Sequence, residues 1–195
     1  MSGSHNNSIG ILPAIYLDSK TVFRLIDIAM LTGEKDFQTL NKSLNYFVRT
    51  GKLDNPRKGI YTKSSFSTEE LANTIYTPSY VSLQYVLQRE GVIFQYDSGI
   101  TSVSYLSRTI NVGNKQLSYR KIKDAILVNT TGLLQREGIV NIASPERAFL
   151  DLLYLESQFY FDNLNSLDKK LVFKILPIYE SKALARRVKK LMKND

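Results

Sequence analysis

Six polar residues share one side of a helix that the sequence predicts from Asp36, its N-cap, to about Thr50. None of the six is a carboxylate, and their amides and cations can hydrogen-bond to base edges and phosphates. They are Gln38, Thr39, Lys42, Asn45, Tyr46 and Arg49. The apolar residues that cluster on the opposite side are Phe37, Leu40, Leu44, Phe47 and Val48. This pattern predicts a helix that packs on a core and reads a DNA groove.

A short basic hairpin is predicted directly after this helix. Two strands, Lys52–Leu53 and Ile60–Thr62, flank a turn over residues 55–59. We expect Arg57 and Lys58 in this turn to bind phosphates or to enter the minor groove. A reading helix followed by such a hairpin is the order of parts in a winged helix-turn-helix domain.

The reading helix and the hairpin concentrate the positive charge of this half of the chain. Residues 34–63 contain seven basic and three acidic residues, a net charge of +4. We expect Gln38 and Asn45 to pair with adenine edges, and Lys42 and Arg49 to pair with guanine or phosphate. The alternative is a helical bundle with a solvated polar face and an ordinary surface hairpin.

The overall composition favours a polyanionic partner. The chain of 195 residues has 26 Lys and Arg against 18 Asp and Glu, a net charge of +8. A basic amphipathic helix is predicted over residues 182–193, where it could contact DNA, RNA or an acidic protein. No apolar run approaches the roughly 20 residues of a membrane span, and no signal-peptide layout is visible. We therefore expect a cytoplasmic protein without a membrane partner.

Several classes of enzyme are excluded by the residues that are missing. The sequence contains no cysteine, which excludes thiolate nucleophiles and Cys-ligated metal sites. The single histidine, His5, lies in a polar opening segment, which argues against Ser-His-Asp catalysis and multi-histidine metal sites. Gly-rich phosphate loops are absent as well. We expect a protein that is not an enzyme and has no metal and no cofactor.

Two other functions remain open at this point. A metal-dependent nuclease, or another nucleic-acid enzyme docking through a winged helix, would need carboxylates and a lysine around a divalent cation. The residues available for it, without a paired spacing, are Glu90, Asp97, Lys121, Lys123 and Asp124. A scaffold whose basic surface binds an acidic protein is the other alternative.

The fold class predicted from these patterns is α+β with two domains. Residues 1–75 form the winged helix-turn-helix domain, with helices at 9–17, 26–31 and 36–50 and another from a capping box at Ser67 and Glu70. Residues 76–195 form a mixed α/β domain with a small, mainly antiparallel sheet and C-terminal helices. Its predicted helices are 79–89, 145–155, 166–176 and 179–192, and its predicted strands are 100–106, 109–112, 116–119, 126–128 and 139–142.

Three stretches of the chain together resemble a known family. The first comprises Phe47–Leu53 and Arg57–Tyr61, the second is Tyr76–Leu87, and the third is Ala143–Asp151. In this order they resemble the AbiEi family of bacterial antitoxins, the transcriptional-repressor half of type IV toxin-antitoxin systems. The similarity spans about residues 22–155, and the chain after Asp162 departs from the pattern.

The resemblance implies a repressor that binds inverted repeats in the promoter of its own operon. It also implies that the second domain acts as an antitoxin against a nucleotidyltransferase-like toxin, without implying that the two proteins touch. The third stretch has a further explanation from its own residues, because Ser144 and Pro145 are typical of a helix start. Its likeness to the family can therefore mark folding rather than contact.

Overall fold

The computed structural model describes residues 10–95, 99–137 and 139–193. Within them the chain forms two compact units, the first ending at Thr74 and the second beginning at Ile75. Each unit contains helices and its own sheet, so the fold is α+β as the sequence predicts. His5 and Asp97, which the sequence analysis names, lie outside the described residues.

The first unit combines helices with a three-stranded antiparallel sheet. The helices are α1 (Ile11–Leu17), α2 (Leu25–Thr32), α3 (Phe37–Arg49) and α4 (Thr68–Ile75). The strands are β1 (Val22–Arg24), β2 (Asp54–Arg57) and β3 (Ile60–Thr62), in the spatial order β1-β3-β2. The central strand β3 pairs antiparallel with both neighbours.

The bounds of α3 follow from its capping residues. The Asp36 carboxylate accepts a hydrogen bond from the backbone N–H of Gln38 at 2.8 Å, which satisfies one of the unpaired donors of the first turn. At the other end, Gly51 adopts a left-handed φ of 68°, which only glycine adopts readily. The Lys52 N–H then donates to the Phe47 carbonyl at 2.8 Å. The chain therefore turns sharply after α3 and continues into β2.

The apolar side of α3 forms the centre of the first unit's core. Leu40 and Leu44 are fully buried and pack in one cluster with Phe23, Ile28 and other apolar residues of this unit. Phe47 and Val48 pack against this cluster from its edge. The exception is Phe37, whose side chain is 43% exposed because it lies on the first turn, beyond the cluster. Burial on this side fixes which side of α3 faces outward.

The carboxylate of Glu70 fastens α4 to the start of β1. The Ser67 hydroxyl accepts a hydrogen bond from the Glu70 N–H at 3.2 Å, as a capping box requires. The Glu70 side chain does not complete that box. It accepts hydrogen bonds from the N–H groups of Thr21 and Val22 instead, at 2.9 Å and 3.1 Å. A buried carboxylate thus satisfies the backbone donors of Thr21, before β1, and of Val22, its first residue.

The second unit is built on a six-stranded mixed sheet. Its strands are β4 (Ser79–Val81), β5 (Ile100–Ser104), β6 (Arg108–Val112), β7 (Lys115–Lys121), β8 (Leu133–Arg136) and β9 (Val140–Ala143). Their spatial order is β6-β7-β5-β4-β9-β8, and the pairs β7·β5 and β4·β9 are parallel. Three of the five strand pairs are antiparallel, but the sheet is larger than predicted and contains two parallel pairs, because the crossover connections that parallel strands need leave no local signal in the sequence.

Two predicted elements of the second unit have the wrong type. Residues 79–83 were expected to begin a helix, but Ser79–Val81 forms a buried strand, and the helix α5 covers only Gln84–Arg89. Residues 126–128 were expected to form a strand, but they follow or belong to a short helix, α6 (Asp124–Leu127). Runs this short have no readable period, so distant pairing partners decide their conformation.

The remaining helices lie towards the C-terminus. They are α7 (Pro145–Leu155), α8 (Lys169–Ile175), a 3₁₀ helix (Leu176–Tyr179) and α9 (Lys182–Leu191). The Ser144 hydroxyl accepts a hydrogen bond from the Arg147 N–H at 3.2 Å, so α7 begins at the predicted position. Among the residues that the structure describes, no helix is long and apolar enough to span a membrane.

Candidate nucleic-acid interface

The outer face of α3 carries all six residues that the sequence assigns to it. Every one of them is exposed, whereas Leu40 and Leu44 on the opposite face are fully buried. At 100° per residue, the six side chains fall within an arc of about 120°. The face comprises Gln38, Thr39, Lys42, Asn45, Tyr46 and Arg49. We call this set the α3 face.

Three members of the α3 face, Thr39, Tyr46 and Arg49, make contacts within the helix. The Thr39 hydroxyl donates a hydrogen bond to the Asp36 carboxylate at 2.6 Å. That bond, together with the Gln38 backbone N–H, lowers the pKa of Asp36, so the first turn carries a negative charge. The Arg49 guanidinium lies 5.7 Å from the centre of the Tyr46 ring, a cation–π distance. The negative charge of Asp36 disfavours a phosphate at the start of α3, whereas Lys42 and Arg49 place positive charge near its middle and at its C-terminal end.

The other three members of the α3 face have side chains available for a ligand. Gln38, Lys42 and Asn45 make no side-chain hydrogen bond or ion pair to any described residue. Gln38, Lys42 and Asn45 follow one another at spacings of four and three residues, so they form one row along the helix. Two amides that flank a cation can present both donors and acceptors to a base edge.

The β2–β3 hairpin places its basic residues at a tight turn. The predicted strand at Lys52–Leu53 is wrong: β2 covers Asp54–Arg57 instead, so the turn consists of Lys58 and Gly59 and is shorter than predicted. Arg57 pairs with Ile60 across the hairpin. Lys58 is exposed, whereas Arg57 is partly buried and has a partner within the protein. Gly59 adopts a φ of 79°, which a two-residue turn needs.

Asn55 holds this turn in shape, a role that the sequence analysis missed. Its side-chain amide donates to the carbonyls of Arg57 at 3.0 Å and Ile60 at 2.7 Å. The carbonyl of Gly59 accepts a hydrogen bond from the Leu25 N–H at 3.1 Å. The preference of asparagine for bonding to nearby backbone in turns is the signal that could have revealed it.

Two long-range hydrogen bonds fix α1 beside the segments that flank the hairpin. The Tyr16 hydroxyl donates to the Lys52 carbonyl at 2.7 Å, and the Lys63 ammonium donates to the Asp18 carbonyl at 2.7 Å. Lys52 precedes β2 and Lys63 follows β3. The ends of the hairpin are thus anchored to α1 and to Asp18, the residue that caps it, so the hairpin has a defined position in the first unit.

The second unit contains a buried ion pair that the sequence analysis did not single out. Arg147 and Asp151 on α7 are both fully buried, with the Arg147 Nε 3.2 Å from an Asp151 carboxylate oxygen. The other guanidinium N–H groups donate to the Tyr80 hydroxyl and to three backbone carbonyls. These carbonyls belong to Ile126, Asn129 and Thr131. All the guanidinium donors of Arg147 therefore have partners inside the protein.

Hydroxyl groups complete the shell around Asp151. Its carboxylate accepts hydrogen bonds from Tyr179 at 2.7 Å and from Ser82 at 2.9 Å. Burial, and then the charge of Asp151, raise the pKa values of the Tyr80 and Tyr179 hydroxyls well above their usual range, so both remain donors. This network joins α7 to β4, to the loop after α6 and to the 3₁₀ helix. The polar groups of this network are therefore hydrogen-bonded to one another and to the backbone inside the folded protein.

The basic C-terminal helix α9 packs its apolar side on the second unit. Leu184 and Val188 are fully buried, and the Arg187 guanidinium donates to the Leu153 carbonyl at 3.2 Å. The exposed cations of this helix and of the residues after it are Lys182, Arg186, Lys189, Lys190 and Lys193. Its outer side is thus a second positive surface.

The carboxylates considered for a nuclease are not gathered into a metal site in the described part of the chain. Glu90 follows α5, and Asp124 begins α6. Within residues 10–95, 99–137 and 139–193, no group of three or more His, Asp or Glu side chains could hold a metal ion. Lys121 and Lys123 are exposed at the end of β7 and just before α6.

Comparison with protein-family models and with curated proteins identified no relative of this chain. No protein-family model matches the chain, and no curated protein matches its sequence. The α3 face and the basic hairpin therefore carry the functional inference.

Proposed function

We propose that the protein is a sequence-specific transcriptional repressor and the antitoxin of a type IV toxin-antitoxin system, of the kind that the AbiEi resemblance implies. In this proposal the first unit is a winged helix-turn-helix domain. It binds inverted repeats in the promoter of its own operon, so double-stranded DNA is the principal partner. The protein acts in the cytoplasm without a cofactor.

The observation that supports this proposal most strongly is the composition and exposure of the α3 face. An α-helix with its side chains is about 10–12 Å across and fits a major groove of about 12 Å. Gln38 and Asn45 would form paired hydrogen bonds with adenine edges, and Lys42 would reach guanine or phosphate. Arg49 and Tyr46 would contact the sugar-phosphate backbone from the C-terminal end of α3.

The hairpin supports the proposal as the wing of the domain. Lys58 is exposed at a turn that Asn55 holds in one conformation. A cation at such a turn binds phosphate or enters the minor groove beside the major groove that the helix occupies. Arg57, which precedes the turn, would supply a second contact.

The antitoxin role is proposed for the second unit from the resemblance of residues 76–87 and 143–151. The third stretch, residues 143–151, contains the buried Arg147–Asp151 network, so its residues are explained by their role in folding. We therefore assign no toxin-binding surface to this stretch. The functional partner in this proposal is a nucleotidyltransferase-like toxin. Direct contact between the two proteins is not part of the proposal.

Removing one phosphate-binding cation should flatten the salt dependence of operator binding. We expect Lys42→Ala and Arg57→Ala each to reduce the slope of log K against log salt concentration by about one unit. The measurement is fluorescence anisotropy with promoter DNA over a salt series. Lys20→Ala, which removes an exposed lysine outside α3 and the hairpin, is the matched control. Unchanged slopes for both variants would show that neither α3 nor the hairpin belongs to the DNA interface.

The antitoxin role can be tested apart from repression. If a neighbouring gene encodes a nucleotidyltransferase-like protein, its expression alone from a foreign promoter should arrest growth, and co-expression of the full-length protein should restore it. A Gln38→Ala/Asn45→Ala variant should restore growth equally well, since no operator is involved. Failure of the unaltered protein to restore growth would contradict the antitoxin role and leave the repressor role standing.

A further inference from the structure

A polar cleft lies on one face of the sheet in the second unit. Thr101 and Thr109, on β5 and β6, both pair with Ser118 on the intervening strand β7. Paired residues point to the same face of a sheet, so these three hydroxyls form a row across three strands. The buried residues Leu117 and Tyr119 point to the other face. The hydroxyl row forms the floor of a cleft of about 380 Å³.

Two glutamines form part of the cleft wall with their amides available. Gln84 and Gln95 line the cleft, and neither side chain makes a hydrogen bond to a described residue. Gln84 is held at this position because the Thr101 hydroxyl accepts the Tyr85 N–H at 3.0 Å and donates to the Ser82 carbonyl at 2.7 Å. Each amide offers a donor and an acceptor side by side.

An aromatic ring and a preformed loop pair complete the wall. Phe159 lines the cleft and packs against Phe161 at 5.1 Å between ring centres. The loop before Gln95 is joined to the loop after Phe159, because the Phe94 N–H donates to the Asp162 carboxylate at 2.8 Å and the Asp162 N–H donates to the Val92 carbonyl at 3.1 Å. These two hydrogen bonds hold the two loops together at this side of the cleft.

The charge of the cleft is balanced. Arg120 is the one charged residue among the described residues that line it, and its guanidinium is 2.6 Å from the Glu156 carboxylate. A ligand in this cleft meets no unpaired cation that would favour a phosphate group. The exposed cations of α9 show that this chain has unpaired positive charge elsewhere, but not here.

We propose that this cleft binds a nucleoside, whose neutral planar base is hydrogen-bonded along its edge by the two amides and covered on its face by Phe159. The hydroxyls of Thr109 and Ser118, 3.2 Å apart, would bind the sugar. An adjoining space of about 520 Å³ shares Gln95 and Phe159 with the cleft and leaves room for the whole nucleoside. This site is separate from the proposed DNA interface and gives the second unit a small ligand of its own.

Isothermal titration of the full-length protein with adenosine, guanosine, cytidine and uridine tests the proposal. We expect at least one of them to bind with a Kd below about 1 mM. Gln84→Leu and Gln95→Leu should each weaken that binding about tenfold, because each removes an amide pair without changing the size of the side chain much. Gln135→Leu, at the opposite edge of the same sheet, is the matched control and should leave the Kd unchanged.

Thermal melting followed by circular dichroism identifies any variant that fails to fold. Phe159→Leu then replaces that variant, and we expect it to weaken nucleoside binding about tenfold as well. The proposal is overturned if no nucleoside binds at millimolar concentration, or if the folded cleft variants bind as well as the unaltered protein. A 5′-monophosphate that binds more than about tenfold tighter than its nucleoside would overturn the neutral character assigned to the ligand.

Discussion

Replacement of Arg147 by methionine is expected to lower the unfolding free energy of the second unit by about 3–5 kcal/mol. Methionine fills most of the same volume but removes every guanidinium donor. The Asp151 carboxylate would then be buried without its cation, and the carbonyls of Ile126, Asn129 and Thr131 would lose their donors. An uncompensated buried charge is among the few single changes with so large an effect.

Urea unfolding followed by circular dichroism measures this loss. Arg108→Met, on the edge strand β6, makes the same change at an exposed position and should alter the midpoint little. Asp151→Asn should also be strongly destabilising, since it leaves the guanidinium unpaired. A loss for Arg147→Met no larger than that of the Arg108→Met control would show that the network contributes little to folding.

Removal of both amides from the α3 face should strongly reduce discrimination between operator and random DNA. The double variant Gln38→Ala/Asn45→Ala is expected to weaken operator binding by about 2–6 kcal/mol, because each paired contact to a base contributes about 1–3 kcal/mol of discrimination. Binding to DNA of scrambled sequence should stay the same, since the phosphate contacts of Lys42 and the hairpin remain.

Fluorescence anisotropy with operator and scrambled duplexes at one fixed salt concentration separates these effects. The double variant Gln116→Ala/Gln135→Ala removes two exposed amides from the second unit and serves as the control. Equal losses of affinity for both duplexes would show that Gln38 and Asn45 contact the DNA backbone rather than the bases. Unchanged operator affinity would contradict the assignment of α3 as the reading helix.

The elements that the sequence predicts well are those with strong local signals. Helix α3 begins after Asp36 and ends before Gly51, and α7 begins at Pro145, because caps and a period of 3.6 residues act over a few residues. The strand β4 shows the opposite case. Three residues, Ser79–Val81, are held by β5 on one side and β9 on the other, and neither partner is visible in the local sequence.

The sequence predicted which residues form the candidate interface, but not the hydrogen bonds that hold them in place. A helical period assigns the α3 face to the outside, and the structure exposes all six residues. The bond from Thr39 to Asp36 and the two bonds from Asn55 depend on side-chain conformations that spacing does not specify. The Arg147–Asp151 network was missed for a related reason: charged residues on a helix are usually solvated, and only the fold shows these two to be enclosed.

Under the proposed function, the turn held by Asn55 has a kinetic and entropic consequence for the encounter with a duplex. A loop that must become ordered on docking reduces the net affinity and often slows association. Because Asn55 bonds the Lys58 turn in the free protein, we expect that no ordering of this turn is needed before a duplex docks and that electrostatic attraction then sets the rate. Complex formation would then proceed as a rigid-body approach whose speed depends on ionic strength, with no folding step to wait for.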